Sequence, residues 1–365
     1  MAIDLTRIWR IQSKARKSAI VLLFFTAICL LITSSTQRFQ PLPPLVALHA
    51  TDGRANILES TTRTDMPELT TNINTLQSTT SKYAYATFFT EGAEKEEDDK
   101  YLICTRMLTY QLLHDPATRT ERLVPFIVLV PPSVSHTKRN RLQSEGATVV
   151  EVPTTNFSWM KPGRDRWAHV IHKLNVFKLV QFEKVLLLDS DVVIFKRLDD
   201  IFESPTTEIR TNLGNSSNVK DDEGPQPQRY LMAGDTSPEE GIKHSWPAKR
   251  RASPVNAGFV VLHPSEEMYE YNMRIASIEG RFLSSAPEQN LWNYIHRPDG
   301  NMPWNRIEHT WVMNKPKYED YKNGIAAVHE KWFRRSQEDP ALKEELLKSR
   351  WKMEGFWARG PLYQV

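Results

Sequence analysis

The pattern of apolar and polar positions over residues 82–335 predicts strands that alternate with helices. Four apolar runs have the length and composition of buried strands, at residues 83–90, 125–130, 148–152 and 184–188. Three segments between them have helical length and spacing, at residues 101–114, 135–145 and 167–182. This alternation predicts right-handed βαβ units and a single α/β domain with a doubly wound, mostly parallel sheet.

Residues 1–35 have a different pattern. Residues 19–32 are uncharged and almost wholly apolar, and they follow a basic segment, residues 1–18, with a net charge of +4. A bilayer core needs about 20 apolar residues, so this run is short. We expect a signal anchor at 19–35 and a cytoplasmic tail at 1–18, because positive flanks stay inside. A cleaved signal peptide and a buried core helix are the alternatives.

Residues 36–81 predict a flexible stem, because they are rich in Ser and Thr and show no sustained period. The formal net charge of the whole chain is +3, so the chain beyond the basic tail is about neutral. That balance argues against a nucleic-acid surface, which needs a concentrated basic face. Two cysteines, Cys29 and Cys104, are too few for a disulfide scaffold or a cysteine-built zinc site.

Candidate chemistry begins directly after the fourth apolar run, at Asp189-Ser190-Asp191. Ligands of doubly wound sheets bind beyond the carboxyl ends of the strands, and this motif follows such an end. Paired carboxylates are ligands that Mg²⁺ or Mn²⁺ takes together with substrate phosphates. A capped turn is the other interpretation of a lone Asp-x-Asp. The first predicted strand is not followed by Gly-x-Gly-x-x-Gly, which disfavours a dinucleotide site.

Five sequence elements, in the same order along the chain, resemble motifs of glycosyltransferase family 8, the glycogenin-like enzymes. Within that family the chain resembles a fungal-type Golgi member. The five elements are Tyr85-Ala86-Thr87, Lys173-Leu174 with KVLLLDSDVVIFKRLDDIF, Asn256-Ala257-Gly258, Glu288-Gln289-Asn290-Leu291-Trp292-Asn293, and Val328-His329-Glu330-Lys331-Trp332. The resemblance covers residues 82 to about 334. It implies a GT-A fold, a UDP-sugar donor, a Mn²⁺ or Mg²⁺ ion and retention of anomeric configuration.

The resemblance also implies roles for particular residues. The metal would be held by Asp189, Asp191 and His329. Catalytic roles fall to Glu288 and Gln289, near the reacting carbon, and to Lys173, which would neutralise donor phosphate or sugar oxygens. The donor would be bound by Tyr85, Thr87, Ser190, Asn256, Ala257 and Gly258, the first two against uridine. Purely structural roles stay open as alternatives. His329 could be a hydrogen-bonded histidine without a metal, and Lys173 could lie on a solvent-exposed helix face. Glu288 could be an ordinary acid at the N-terminus of a helix.

The chain departs from the family at two motifs. Glu288 replaces the usual Asp, and the late histidine segment lacks its Gly, Lys and Pro, with Lys331 as a possible substitute. Residues 204–253 form a polar, turn-rich segment that we interpret as an insertion, either a lid or acceptor loop or a plain surface loop. Residues 336–365 predict a C-terminal helical extension after the catalytic domain, residues 82–335.

Together these features predict a type II Golgi membrane enzyme with a lumenal catalytic domain. It would move a hexosyl-type or N-acetylglucosaminyl sugar from a UDP-sugar to a glycan or glycoprotein acceptor. Gln289 is a poor nucleophile, which favours same-face attack over a covalent intermediate. Two other classes stay open: an inactive family member that acts as a binding or scaffold subunit, and a nucleotidyltransferase-like protein.

Overall fold

The computed structural model describes residues 71–72, 81–164, 167–333 and 339–359. The predicted tail 1–18, the predicted anchor 19–35 and nearly all of the predicted stem lie outside these residues. Within the described part of the chain, the helices are too short or too polar to span a bilayer.

The described strands are, in chain order, β1 Thr71–Asn72, β2 Tyr83–Phe88, β3 Phe126–Val130, β4 Thr148–Glu151, β5 Lys184–Leu188, β6 Val192–Ile194, β7 Arg210–Thr211, β8 Arg229–Tyr230, β9 Met232–Gly234, β10 Phe259–Leu262, β11 Asn305–Arg306, β12 Val312–Asn314 and β13 Ala327–His329. The described α-helices are α1 Lys100–Leu113, α2 His136–Ser144, α3 Glu266–Ser277, α4 Pro287–Ile295, α5 Tyr318–Lys322 and α6 Pro340–Ala358. Short 3₁₀ helices cover Val170–Lys178, Asp199–Glu203, Pro205–Thr207, Ser216–Asn218 and Gly241–Lys243.

The central sheet has the order β1-β4-β3-β2-β5-β10-β9-β11. Strands β1 to β5 pair in parallel, whereas β10 runs antiparallel to both β5 and β9. A second sheet, β12-β13-β6, starts where the chain leaves β5. The prediction of an α/β fold with a mostly parallel sheet is confirmed, and the antiparallel strand β10 makes that sheet mixed.

Alternate residues of each central strand face opposite hydrophobic cores. In β2, Ala84, Ala86 and Phe88 join one core, while Tyr85 and the following Phe89 join the other. Every residue of β3 and β5 is buried, which explains why their sequences are continuous apolar runs. The sheet therefore has a core on each side, as expected when chain segments cover both faces.

The segment predicted as a long helix at 167–182 forms a 3₁₀ helix over Val170–Lys178 instead. All seven residues from Ile171 to Phe177 are buried, so this segment is enclosed on every side and not only on one face. Within it, the large apolar residues Ile171, Leu174 and Phe177 recur every three positions, which matches the three residues per turn of a 3₁₀ helix. The predicted C-terminal helix is present as α6, whose Leu342, Leu346 and Met353 belong to a third buried apolar cluster.

Two predicted boundaries differ from the structure. Thr71–Asn72, within the predicted stem, form the edge strand that pairs with β4. Segment 204–253, predicted as an insertion, contains β9, which lies inside the central sheet between β10 and β11. Only three residues long, β9 carries a weak sequence signal between polar turns.

Candidate active site

The turn after β5 places two carboxylates at the carboxyl end of a central strand. The backbone N–H of Asp189 donates to the carbonyl of Gly258 at 2.8 Å, and that of Val192 donates to the carbonyl of Asp189 at 3.0 Å. These bonds fix a tight turn between β5 and β6. Asp191, in this turn, is only 3% exposed, so its buried carboxylate needs charged or hydrogen-bonding partners.

Strand β13 supplies one partner. It pairs antiparallel to β6 with His329 opposite Val192, which carries the imidazole to the carboxylate turn. His329 Nε2 lies 2.9 Å from Asp191 Oδ1 and 3.4 Å from Asp189 Oδ2. One ligand atom from each of the three residues lies within 4.8 Å of the others.

The opposite side of the His329 ring faces two amide oxygens. Nδ1 lies 3.1 Å from Oδ1 of Asn256 and 3.1 Å from Oδ1 of Asn314, its neighbour on β12. Because these oxygens accept, Nδ1 carries a proton and Nε2 is the atom turned to the carboxylates. Gly258 packs against the same ring, and a Cβ at that position would overlap it.

Lys173 joins the carboxylate turn to α4. Its Nζ lies 2.6 Å from Asp189 Oδ1 and 2.9 Å from Glu288 Oε1. Burial alone would lower the pKa of the Lys173 ammonium, but the two carboxylates outweigh burial and raise it. Burial would raise the pKa of Asp189, yet Lys173 and then His329 hold it below its usual value. Lys173 is therefore a permanent cation within the site, and the solvated-face interpretation is wrong.

Helix α4 positions the segment that precedes β10. Pro287 begins this helix and Glu288 lies in its first turn, 7% exposed. Gln289 Oε1 accepts from the N–H of Ala257 at 3.2 Å, and Asn293 exchanges hydrogen bonds with both backbone groups of Val255. Glu288 is thus an N-terminal helix acid and also a direct partner of Lys173, so the two interpretations coexist.

Lys331 brings a further cation to the turn. Its Nζ contacts Asp191 Oδ2 and lies 5.3 Å from the ring centroid of Tyr101. The sequence predicted Lys331 as a possible substitute for a missing lysine of the late histidine segment. The structure places it against the carboxylates, together with His329.

Two adjoining cavities, of about 380 and 320 Å³, meet at the carboxylates. Both are lined by Trp167, Asp189, Asp191 and Lys331. The first cavity extends along the end of β2 and its other lining residues include Phe88, Phe89, Gly92, Tyr101, Lys173 and Ser190. The second extends toward α4 and its other lining residues include Asn256, Ala257, Gly258, Glu288, Gln289, Asn314, Lys315 and His329.

The structure does not bring Tyr85 and Thr87 into this cleft, contrary to their predicted contact with uridine. Both are 0% exposed. The Tyr85 hydroxyl donates to Asp199 at 2.6 Å inside the core, and burial followed by that carboxylate raises the pKa of Tyr85 well above its usual value. Strand β2 reaches the cleft only at Phe88 and beyond, so the motif lies too early on the strand.

Other lining residues were missed from the sequence. Asn314 is the last residue of β12, Lys315 follows that strand and Trp167 precedes a 3₁₀ helix, so each lies at the end of an element. A polar residue at a strand end was a usable signal for Asn314. The sequence around Trp167 carried no such signal, because a tryptophan can lie in a hydrophobic core as well as in the lining of a cavity.

The residues present fit a divalent cation. Asp191 Oδ1 is buried and accepts no hydrogen bond from the described part of the chain, although the His329 ring lies beside it. Two carboxylates and one imidazole form a ligand set suited to Mn²⁺ or Mg²⁺ rather than to a thiolate-seeking metal. Divalent-cation binding is thus a chemistry that this arrangement supports.

Comparisons with known proteins agree with the motifs. No family model matches the chain. It is 26% identical over 258 residues to an uncharacterized protein of Schizosaccharomyces pombe, covering 62% of this chain and 67% of that protein. It is 28% identical over 165 residues to galactinol synthase 6 of Arabidopsis thaliana, covering 42% of this chain and 46% of the synthase. The chain therefore spans less than half of that synthase.

Among solved structures, an active-site mutant of LgtC superposes with a TM-score of 0.44 and 13% identity, over 74% of this chain and 95% of LgtC. The predicted resemblance to glycosyltransferase family 8 is confirmed as a similarity, and the α/β fold with its mixed, mostly parallel central sheet agrees with the GT-A fold that the resemblance implies.

Proposed function

We propose that this GT8-like protein is a metal-dependent, retaining glycosyltransferase that moves a hexosyl-type sugar from a UDP-sugar to a glycan or glycoprotein acceptor. One observation carries the proposal. Asp189, Asp191 and His329 converge within 4.8 Å at a strand end where two cavities meet. In a sugar nucleotide, a diphosphate joins the nucleoside to the sugar. The nucleoside would occupy one of these cavities and the sugar the other, with the diphosphate at the carboxylates between them.

Each compartment has lining suited to one part of the donor. Half-buried Tyr101 and Trp167 offer aromatic surface in the first cavity, where a nucleobase can stack, and the buried Phe88 and Phe89 close its wall. Asn256, Glu288 and Gln289 offer polar groups in the second, where sugar hydroxyls need hydrogen bonds. When bound by Asp189, Asp191 and His329, Mn²⁺ or Mg²⁺ would stabilise the charge that develops on the diphosphate.

The remaining residues keep the site in place. Lys173 holds Asp189 and Glu288 together, which fixes both carboxylates relative to the sugar compartment. Gln289 supports the loop before β10 through its bond to Ala257. Such fixed dipoles need little reorganisation as charge develops, and that is the main source of electrostatic catalysis.

Retention would follow from attack on the face that the diphosphate leaves. The acceptor hydroxyl oxygen would bond to the anomeric carbon while the bond to the phosphate oxygen breaks, and the hydroxyl proton would pass to the leaving phosphate. The contacts of the nearby side chains favour this route over a covalent intermediate. Glu288 is neutralised by Lys173, and the Gln289 oxygen already accepts from Ala257, so neither is an activated nucleophile.

The proposed location is the Golgi membrane, with the catalytic domain in the lumen. It is supported by the apolar run 19–32 and the basic residues before it, both features of the sequence. A lumenal domain would meet glycans and glycoproteins as acceptors.

The test is hydrolysis of a panel of UDP-sugars by the purified chain, with and without added Mn²⁺. UDP-glucose, UDP-galactose, UDP-N-acetylglucosamine, UDP-xylose and UDP-glucuronic acid form the panel. We expect UDP release from at least one sugar nucleotide, abolished by EDTA and restored by Mn²⁺. UDP binding without release of UDP from any donor would instead favour a binding subunit, and no binding of UDP would contradict the proposal.

A further inference from the structure

Lys315 has an unusual backbone at the edge of the sugar-side cavity. Its φ is 56°, in the left-handed region that L residues other than Asn and Asp seldom adopt. Pro316 follows, and a residue before proline ordinarily prefers an extended conformation. Strain of this kind persists only where the surrounding structure enforces it, and it concentrates at functional sites.

The residues before Lys315 on β12 are held in place by contacts with other segments. Asn314 precedes it on β12 and is 3.1 Å from the His329 ring. Arg250 donates to the carbonyl of Val312 at 3.0 Å on the same short strand. The Lys315 side chain then runs past Gly241, where a Cβ would lie 4.0 Å from both Cδ and Nζ. Lys315 thus lines the second cavity at its edge, and the end of its side chain lies beside Gly241, outside the lining of that cavity.

The charge of Lys315 is unmatched. Lys173 is paired with Asp189 and Glu288, while Lys331 and His329 face Asp191. Among residues 71–72, 81–164, 167–333 and 339–359, Lys315 has neither an ion pair nor a hydrogen bond. It is an exposed ammonium in a cleft whose other described cations already have acidic partners.

We propose that Lys315 binds a phosphate group of the nucleoside diphosphate donor. This inference rests on the proposed function. An unmatched ammonium is satisfied by an anion, and lysine binds phosphate as a mobile point charge. Asp189, Asp191 and His329 line the same cavity, so a diphosphate bound to a cation at those residues would reach Lys315 from the sugar side.

The experiment measures UDP and uridine binding by calorimetry with Mn²⁺ present, on the full chain. Lys315→Met should weaken UDP binding by about tenfold, which corresponds to about 1.4 kcal/mol, and leave uridine binding unchanged. Lys315→Arg keeps the charge and should stay close to the wild type. The matched control is Lys243→Met, because Lys243 is also exposed and has no ion pair with a described residue, yet it does not line either cavity.

A fourth variant separates phosphate binding from a structural role. Lys315→Gly removes the ammonium but accepts the left-handed backbone, so its melting temperature should rise while UDP binding weakens as in Lys315→Met. Wild-type UDP affinity in Lys315→Met would overturn the inference and leave the proposed function intact. A wild-type chain that binds uridine and UDP equally weakly would overturn both.

Discussion

His329 Nε2 lies 2.9 Å from Asp191 Oδ1, which joins the end of β13 to the carboxylate turn after β5. The contact depends on the pairing of β13 with β6, where His329 faces Val192. It depends equally on the amide oxygens that hold Nδ1 from the other side. The candidate metal site is thus a product of the second sheet as much as of the first.

Asn314 is expected to act on the metal through His329. Asn314→Ala removes one oxygen that orients the ring, and outer partners of this kind contribute about 10–100-fold to metal affinity. We expect Mn²⁺ affinity to fall within that range, measured by titration of the free-ion paramagnetic resonance signal. Asn323→Ala is the matched control, because the exposed side-chain amide of Asn323 donates to the carbonyl of Glu319 and lines neither cavity. Equal affinities in the two variants would remove Asn314 from this role.

Glu288 is expected to serve both stability and turnover. Glu288→Gln keeps the size but removes the charge opposite Lys173, whose Nζ lies 2.9 Å away. We expect stability to fall by about 1.5–3 kcal/mol, the usual contribution of a hydrogen bond to a charged group. Turnover should fall at least about tenfold, or 1.4 kcal/mol of transition-state stabilisation.

Melting temperature and UDP-sugar turnover should be measured on one preparation of the Glu288→Gln protein. Glu267→Gln is its control, since Glu267 is also an acid in the first turn of a helix but is exposed. Full turnover per folded molecule in Glu288→Gln would show that the charge has only a structural role.

Stability should depend on pH through His296. Burial lowers the pKa of His296 to about 4 from 6.5, and the bond to the Met302 carbonyl opposes burial only in part. Below pH 6.5 the unfolded chain gains a proton that the folded chain excludes, so stability falls as pH falls toward 4. Between pH 7 and 5 the loss should be about 2 kcal/mol larger in the wild type than in His296→Gln. Urea unfolding at both pH values measures it, and parallel profiles would contradict the assignment.

The strands nearest the site were predictable because their environment is simple. β3 and β5 are buried on both faces, so their sequences are the continuous apolar runs typical of central strands. The Asp-x-Asp turn followed from the end of one such run. Short elements such as β9 were not predictable, because three residues between polar turns carry too little pattern.

Site residues were predictable where a sequence motif identifies them, and were not predictable where tertiary packing determines which side chains reach the cleft. Asp189, Asp191, Lys173 and His329 converge as the resemblance implied. Tyr85 does not, because the alternation of β2 turns its ring into the core and the motif does not specify the face. Asn314 and Lys315 reach the cleft through the pairing of β12 with β13, a contact between distant segments that local sequence does not encode.

Asp189, Asp191 and His329 are proposed to hold the cation that binds the donor diphosphate. The most direct measurement is Mn²⁺ titration by paramagnetic resonance, with and without UDP, on the wild type, on Asp191→Asn and on Asp200→Asn. Asp200 is an exposed carboxylate outside both cavities and serves as the matched control. We expect the wild type and Asp200→Asn to bind one Mn²⁺ more tightly when UDP is present, and Asp191→Asn to lose this binding while remaining folded. Equal Mn²⁺ and UDP affinities in all three proteins would contradict this metal site.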